Sequence, residues 1–236
     1  MNKTITCFIP YGSENQINKT IRHLQECSTV DRIFLLPTSP VPNLSLPDKC
    51  YILPSSAPES VERYKQVALY ANTPFTLICT QVQDLEFGYM ALERMCDYLS
   101  APQCSMVYAD HYQQMDSVQK PAPVIDYQFG SLRDDFNFGS VLLFNANVFK
   151  EVIENTEEEY QYAGLYDLRL KISQKSKLVH INEYLYTEVE SDKRKSGEKQ
   201  FDYVDPKNRQ VQIEMEQACT NHLKEIGGYL YPIFRP

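Results

Sequence analysis

With 236 residues, the chain suits one α/β domain or two small ones, and it can bury about 70% of its unfolded surface without staples. A formal charge of −8 argues against nucleic acid as a partner, because the one basic run, Lys193, Arg194 and Lys195, sits among Glu188, Glu190, Asp192 and Glu198. Seven cysteines form no CxxC pair and no regular framework, which argues against zinc; Cys7 and Cys79 lie in apolar runs, where a thiol packs as a small hydrophobe.

Residues 5–9, ITCFI, are a continuous apolar run that predicts a strand. A helix is expected over residues 14–27, with Ile17, Ile21 and Leu24 on one face. RIFLL at 32–36 reads as a second strand, and the four prolines of residues 37–47 as a loop. Residues 50–53 give a short third strand, and residues 60–71 a helix with Val61, Tyr64 and Ala68 inward. The stretch from Pro74 to Met95, PFTLICTQVQDLEFGYMALERM, reads as a buried strand at 75–79, a turn carrying Glu86, Phe87 and Gly88, and a helix at 88–99 repeating Met90, Met95 and Leu99. Strands alternating with helices imply an α/β fold with a mostly parallel sheet and helices on both faces. The strands at 5–9, 32–36 and 75–79 are expected as central neighbours. Ligands in such sheets lie beyond the carboxyl ends of the strands, here Pro10 and Tyr11, Leu36 and Pro37, Leu53 and Pro54, and Thr80 to Val82.

The second half is less regular. A strand at 105–108 ends at Asp110, and residues 113–136 read as a long polar connection. A strand at 139–144, a short helix at 148–153, a helix at 165–172 and a strand at 177–182 follow. Residues 188–199 are densely charged and expected to be mobile. A long helix at 205–226 has Asp205 as cap and Pro206 at its first position, and Gly227 and Gly228 stop it. One domain is expected over residues 1–226, with 227–236 as a linker or tail. The opening MNKTITCFIPYG is too short an apolar run for a secretion signal, and no stretch approaches the ~20 apolar residues of a membrane span, so a cytoplasmic chain without a transmembrane segment is expected.

Among titratable residues, Asp110 beside His111 can be a base or metal ligand, or simply a cap. Asp134 and Asp135 follow Arg133 and can chelate a cation or pair with that arginine. Glu157 to Glu159 read as a solvated run, and His23, His111, His180 and His222 show no ligand spacing. GxSxG, P-loop and GxGxxG motifs are all missing.

Four blocks in order resemble family 2 glycosyltransferases over about residues 3–190: ITCFIPYGSENQINKTIRHLQEC, RIFLL, MVYADHY and GLYDLRLKISQKSKLVHINEYLYT. The resemblance implies a GT-A-like fold that takes a nucleotide-sugar donor. In that family a strand ends in Asp-x-Asp, which holds a divalent metal and, through it, the donor pyrophosphate. Here those positions are Thr80, Gln81 and Val82, which cannot replace carboxylate oxygens for a hard cation. The family's base-reading Asp at the end of the second strand falls at Leu36, Pro37 and Thr38. Its Glu-Asp pair, which carries the catalytic base of inverting members, falls on Gly164 and Leu165, and only the next Asp of that block is matched, by Asp167. Pro10, Tyr11, Thr38, Thr80, Gln81, Val82, Gly164 and Leu165 are therefore the donor-cleft positions by resemblance, with the carboxylates stripped.

Three lost acidic functions imply a catalytically degenerate module serving glycan biosynthesis by docking or structure, with no cofactor. The tail GGYLYPIFRP resembles the linker into a second module of a tandem bacterial glycosyltransferase, so the expected partner is a second module, another copy of the chain or a glycan acceptor. The alternative is an active, metal-independent glycosyltransferase using Asp110, Asp134 or Asp135 with Arg133 or Arg169 in place of the cation; manganese or magnesium enters only under an active reading.

Overall fold

The computed structural model describes residues 3–12, 18–41, 45–115, 118–189 and 209–231. Its first half is the expected alternation: β1 (Ile5–Tyr11), α1 (Asn18–Glu26), β2 (Val30–Pro37), β3 (Cys50–Ile52), α2 (Val61–Tyr70), β4 (Phe75–Cys79), β5 (Asp84–Phe87) and α3 (Ala91–Leu99). The second half runs β6 (Cys104–Met115), β7 (Val118–Ala122), β8 (Val141–Asn145), α4 (Ala146–Glu154), α5 (Gly164–Lys175), β9 (Lys177–Val189) and α6 (Arg209–Glu225).

The sheet runs β3-β2-β1-β4-β8-β6-β9-β5, with β7 hydrogen-bonded to β6 off that path. The three apolar runs of the first half are adjacent and parallel: Phe8 pairs with Phe34 on one side and with Ile78 on the other. The sheet as a whole is mixed rather than mostly parallel, because β8 is antiparallel to both β4 and β6, and β5 and β7 are antiparallel edge strands. Only β6 and β9 restore a parallel pair in the second half.

Side-chain alternation divides the core into two layers. From β1, Ile5, Cys7 and Ile9 face α1 and α3, packing with Leu24, Met95 and Leu99. Phe8 faces the other way, toward Tyr64 of α2, Phe149 of α4 and Leu168 of α5. Helices thus cover both faces, as expected. A third cluster joins Tyr166 and Leu170 of α5 to Ala218 of α6. Ser60 caps α2, its hydroxyl accepting from the Arg63 amide at 3.2 Å.

Several boundaries moved for physical reasons. The long polar connection contains the end of β6 and all of β7, an exposed hairpin whose alternating polar residues leave no apolar signal. The turn at Glu86 and Phe87 is instead strand β5, held by pairing with Glu188 and Tyr186 of β9. Met90 is exposed with a left-handed φ of 52°, so the buried face of α3 is Ala91, Leu92, Met95 and Leu99. Of the charged stretch 188–199, Glu188 and Val189 belong to β9, and the remainder lies outside the described residues. The cap and proline at 205 and 206 also lie outside them. Gly227, at φ +73°, ends α6, and the Gly228 and Tyr229 amides both donate to the Leu223 carbonyl.

Candidate functional site

In an open sheet ordered 3-2-1-4, ligands settle where the strand order reverses, beyond the carboxyl ends of β1 and β4. Tyr11 ends β1 there, nearly buried, with Pro10 beneath it. Thr80 follows β4; its amide donates to the Ser140 carbonyl at 2.9 Å, and Gln81 and Val82 are exposed. The next residues, Gln83 to Phe87, fasten to α1. The Lys19 amide at the start of α1 donates to Asp84 Oδ1 at 3.2 Å, Leu85 donates to Thr20 Oγ1 at 2.7 Å, and Lys19 Nζ meets Glu86 at 3.3 Å. A helix N-terminus after the first strand is the natural seat for a phosphate. Here the buried carboxylate of Asp84 meets an amide of the first described turn of α1.

The end of β2 is likewise engaged. Arg63, 2% exposed, donates through Nη2 to the carbonyls of Pro37 at 2.9 Å and Ser56 at 2.5 Å, and through Nε to Ser56 Oγ at 3.1 Å. Thr38 beyond it is exposed.

Gly164 and Leu165 open α5. Glu214 of α6 accepts from the amides of Gln161 at 2.8 Å, Tyr162 at 2.7 Å and Ala163 at 3.4 Å, so the loop leading into α5 also holds a carboxylate of the chain itself. Gly164 is pressed against α2: its amide donates to the Glu59 carbonyl at 2.7 Å, and a Cβ there would lie 2.5 Å from that oxygen. Leu165 faces a cavity rather than the switch point.

Asp167 is a structural residue. Its carboxylate meets Lys171 Nζ at 2.7 Å, and Lys171 also binds Glu158 at 2.7 Å. Burial raises the Asp167 carboxyl to about 6 even against the pull of the Lys171 ammonium. Between 3.8 and about 6, the folded chain therefore holds a proton that the unfolded chain has released. The resulting stability is complete below that window and is lost as pH rises through it. Urea denaturation at pH 4, 5 and 6 should show wild type losing up to ~3 kcal/mol relative to Asp167→Asn. An unchanged difference across the window would rule this assignment out.

The three candidate carboxylates are not equivalent. Asp110, 1% exposed, accepts from the Val124 amide at 2.8 Å and from His180 Nε2 at 2.9 Å. His180 Nδ1 reaches the exposed Asp126 at 2.7 Å, and the ring stacks on Tyr108 at 5.3 Å. Asp134 and Asp135 lie on an exposed loop. Arg133 grips Asp135 through Nε at 2.8 Å and Nη2 at 2.6 Å, which holds that carboxyl below its usual value. On the opposite face of β6, His111 Nε2 lies 3.4 Å from Glu188 and stacks on Tyr186, whose hydroxyl accepts from the Ser140 amide. Gly139, at φ +73°, fits there because a Cβ would fall 2.2 Å from that hydroxyl.

Among the described residues, no group of three or more His, Cys, Asp or Glu is placed to hold a metal ion, and no helix is long and apolar enough to cross a membrane. No family model matches the chain, and no curated protein matches it significantly.

Sequence reasoning found the strand ends but missed the groups that engage them. Asp84, Arg63 and Glu214 each bond to residues distant in the chain. His180 was legible only as a strand residue. The one local signal was the alternation of Asp84, Leu85, Glu86 and Phe87, which fits a strand as well as a turn.

Proposed function

We propose that the chain is a glycosyltransferase family 2-like module of GT-A type that has stopped catalysing and serves glycan biosynthesis as a docking or structural element. The observation that carries this reading is the carboxylate of Asp84 accepting from the Lys19 amide of α1. A donor pyrophosphate brought to that crevice meets a fixed negative charge where such folds offer a helix dipole. Thr80, Gln81 and Val82 supply no anionic oxygen to bring a cation between them. The exposed Leu230 and Tyr231 beyond α6 give apolar surface suited to a neighbouring module.

Titration calorimetry and product assays with UDP-, GDP- and TDP-sugars, with and without manganese, test the proposal. Neither donor binding nor turnover is expected. A lost electrostatic stabiliser typically lowers rate by 10²–10³ and a lost base by roughly 10²–10⁴, which together leave turnover at background. Micromolar manganese binding that disappears in Gln81→Ala would contradict the loss of the metal site. Turnover abolished by Asp110→Asn or Asp135→Asn would replace this reading with the metal-independent enzyme.

A further inference from the structure

Away from the switch point, a cavity of about 230 Å³ lies beside α5, walled by Phe136, Phe138, Leu142, Leu165 and Tyr166. Arg169 is the one cation among the described residues that line it. That side chain is 4% exposed, and its guanidinium lies over the rings of Tyr166 at 4.6 Å and Phe138 at 5.3 Å. Nη2 donates to the Arg133 carbonyl. Nη1 has no partner among the described residues. The same holds for the buried Tyr127 hydroxyl, whose ring centre lies 5.9 Å from that of Phe138.

A buried guanidinium with an unused donor is costly unless an anion completes it. The two acids that line the cavity, Glu59 and Asp134, do not: neither is within ion-pair distance of Arg169, and Glu59 instead accepts from the Tyr64 hydroxyl at 3.4 Å. The cavity is therefore lined by one cation that has no anionic partner, two separate acids and aromatic walls. Its volume falls below the roughly 300–1,000 Å³ of drug-sized sites, too small for a nucleotide sugar.

The geometry points to a binding site for a small zwitterion, a free α-amino acid with an apolar side chain. Its carboxylate meets Arg169, its ammonium is drawn to Glu59 and Asp134, and its side chain packs against Phe136 and Phe138. Arginine suits the carboxylate because its planar fork offers two parallel donors. The site does not depend on whether the switch-point crevice is catalytic.

Calorimetry on the full chain with L-phenylalanine, 3-phenylpropionate and phenethylamine tests the assignment. L-Phenylalanine should bind, and each analogue, lacking one charged group, should bind about tenfold more weakly or worse. Arg169→Lys, checked for folding by circular dichroism, should weaken L-phenylalanine by about tenfold or more, since an ammonium cannot reproduce the fork. Asp134→Asn, at an exposed loop position, should weaken L-phenylalanine but not 3-phenylpropionate. The inference is overturned if L-phenylalanine binds no tighter than about 10 mM, a level that reflects almost no specific contact. It is equally overturned if phenethylamine matches L-phenylalanine, or if Asp134→Asn weakens both carboxylates alike.

Discussion

Gly164→Ala is expected to lower the melting temperature by ~6–12 °C. The added Cβ would stand 2.5 Å from the Glu59 carbonyl oxygen, 2.7 Å from the Val61 nitrogen and 2.8 Å from the Ser60 carbonyl carbon. All three belong to the backbone at the start of α2, so no side chain can rotate away. Two main-chain bonds lock the approach: Gly164 to Glu59 at 2.7 Å and Val61 to Tyr160 at 2.9 Å. Overpacking typically costs 1–3 kcal/mol and occasionally more, and a rigid neighbour places this site at ~3 kcal/mol. Each kcal/mol shifts the melting point of a domain this size by ~2–4 °C. Gly130→Ala is the control: nothing lies within 4 Å of its Cβ position, so only its φ of +97° opposes the change, at ~1–2 kcal/mol. Thermal unfolding followed by circular dichroism compares the two, and equal shifts would refute the packing argument. The result also bears on function. An acid at position 164 would separate α5 from α2. Under the proposed glycosyltransferase reading, placing Asp at 80, 82 and 165 is not expected to give full transfer, because no acid stands near Leu36 to read the base.

Asp110→Ala should destabilise the fold by ~3 kcal/mol, whereas Asp126→Ala should cost under ~1 kcal/mol, although both carboxylates bond to the same imidazole. Asp110 is enclosed and serves two donors, the Val124 amide and His180 Nε2. Its removal strands both, at ~1–3 kcal/mol for each buried unsatisfied group. The Asp126 side chain is 84% exposed, and an exposed ion pair contributes ~0–1 kcal/mol. Urea denaturation of the single variants and of Asp110→Ala with His180→Ala gives the coupling, expected at ~1–2 kcal/mol for groups in direct contact. Coupling near zero, or equal losses at 110 and 126, would remove Asp110 from its place as a post between β6, β9 and residues 124–127. Both donors meet the same oxygen, Oδ1, of a carboxylate that is 1% exposed, which is why its loss should register in stability.

The parallel half of the sheet was readable from local sequence. ITCFI, RIFLL and FTLIC are apolar on both faces, and only a strand between two helical layers buries both, so β1, β2 and β4 had to be central neighbours. The glycine stop after α6 was also legible, because it depends on residues adjacent in the chain. Tertiary structure alone decided the rest. β5 is four residues with two charges, and it is a strand because β9, a hundred residues later, supplies its hydrogen bonds. The same pairing brings Asp84 onto the start of α1. Gly164 carries no local signal in the sequence, yet in space it is a contact between α5 and the start of α2. The Arg169 cavity draws its lining from α5, α6, β6, β8 and three loops. Local propensity acts over a few residues, whereas a carboxylate's partner or a cavity's wall is chosen by contacts whose sequence separation carries no periodic signal.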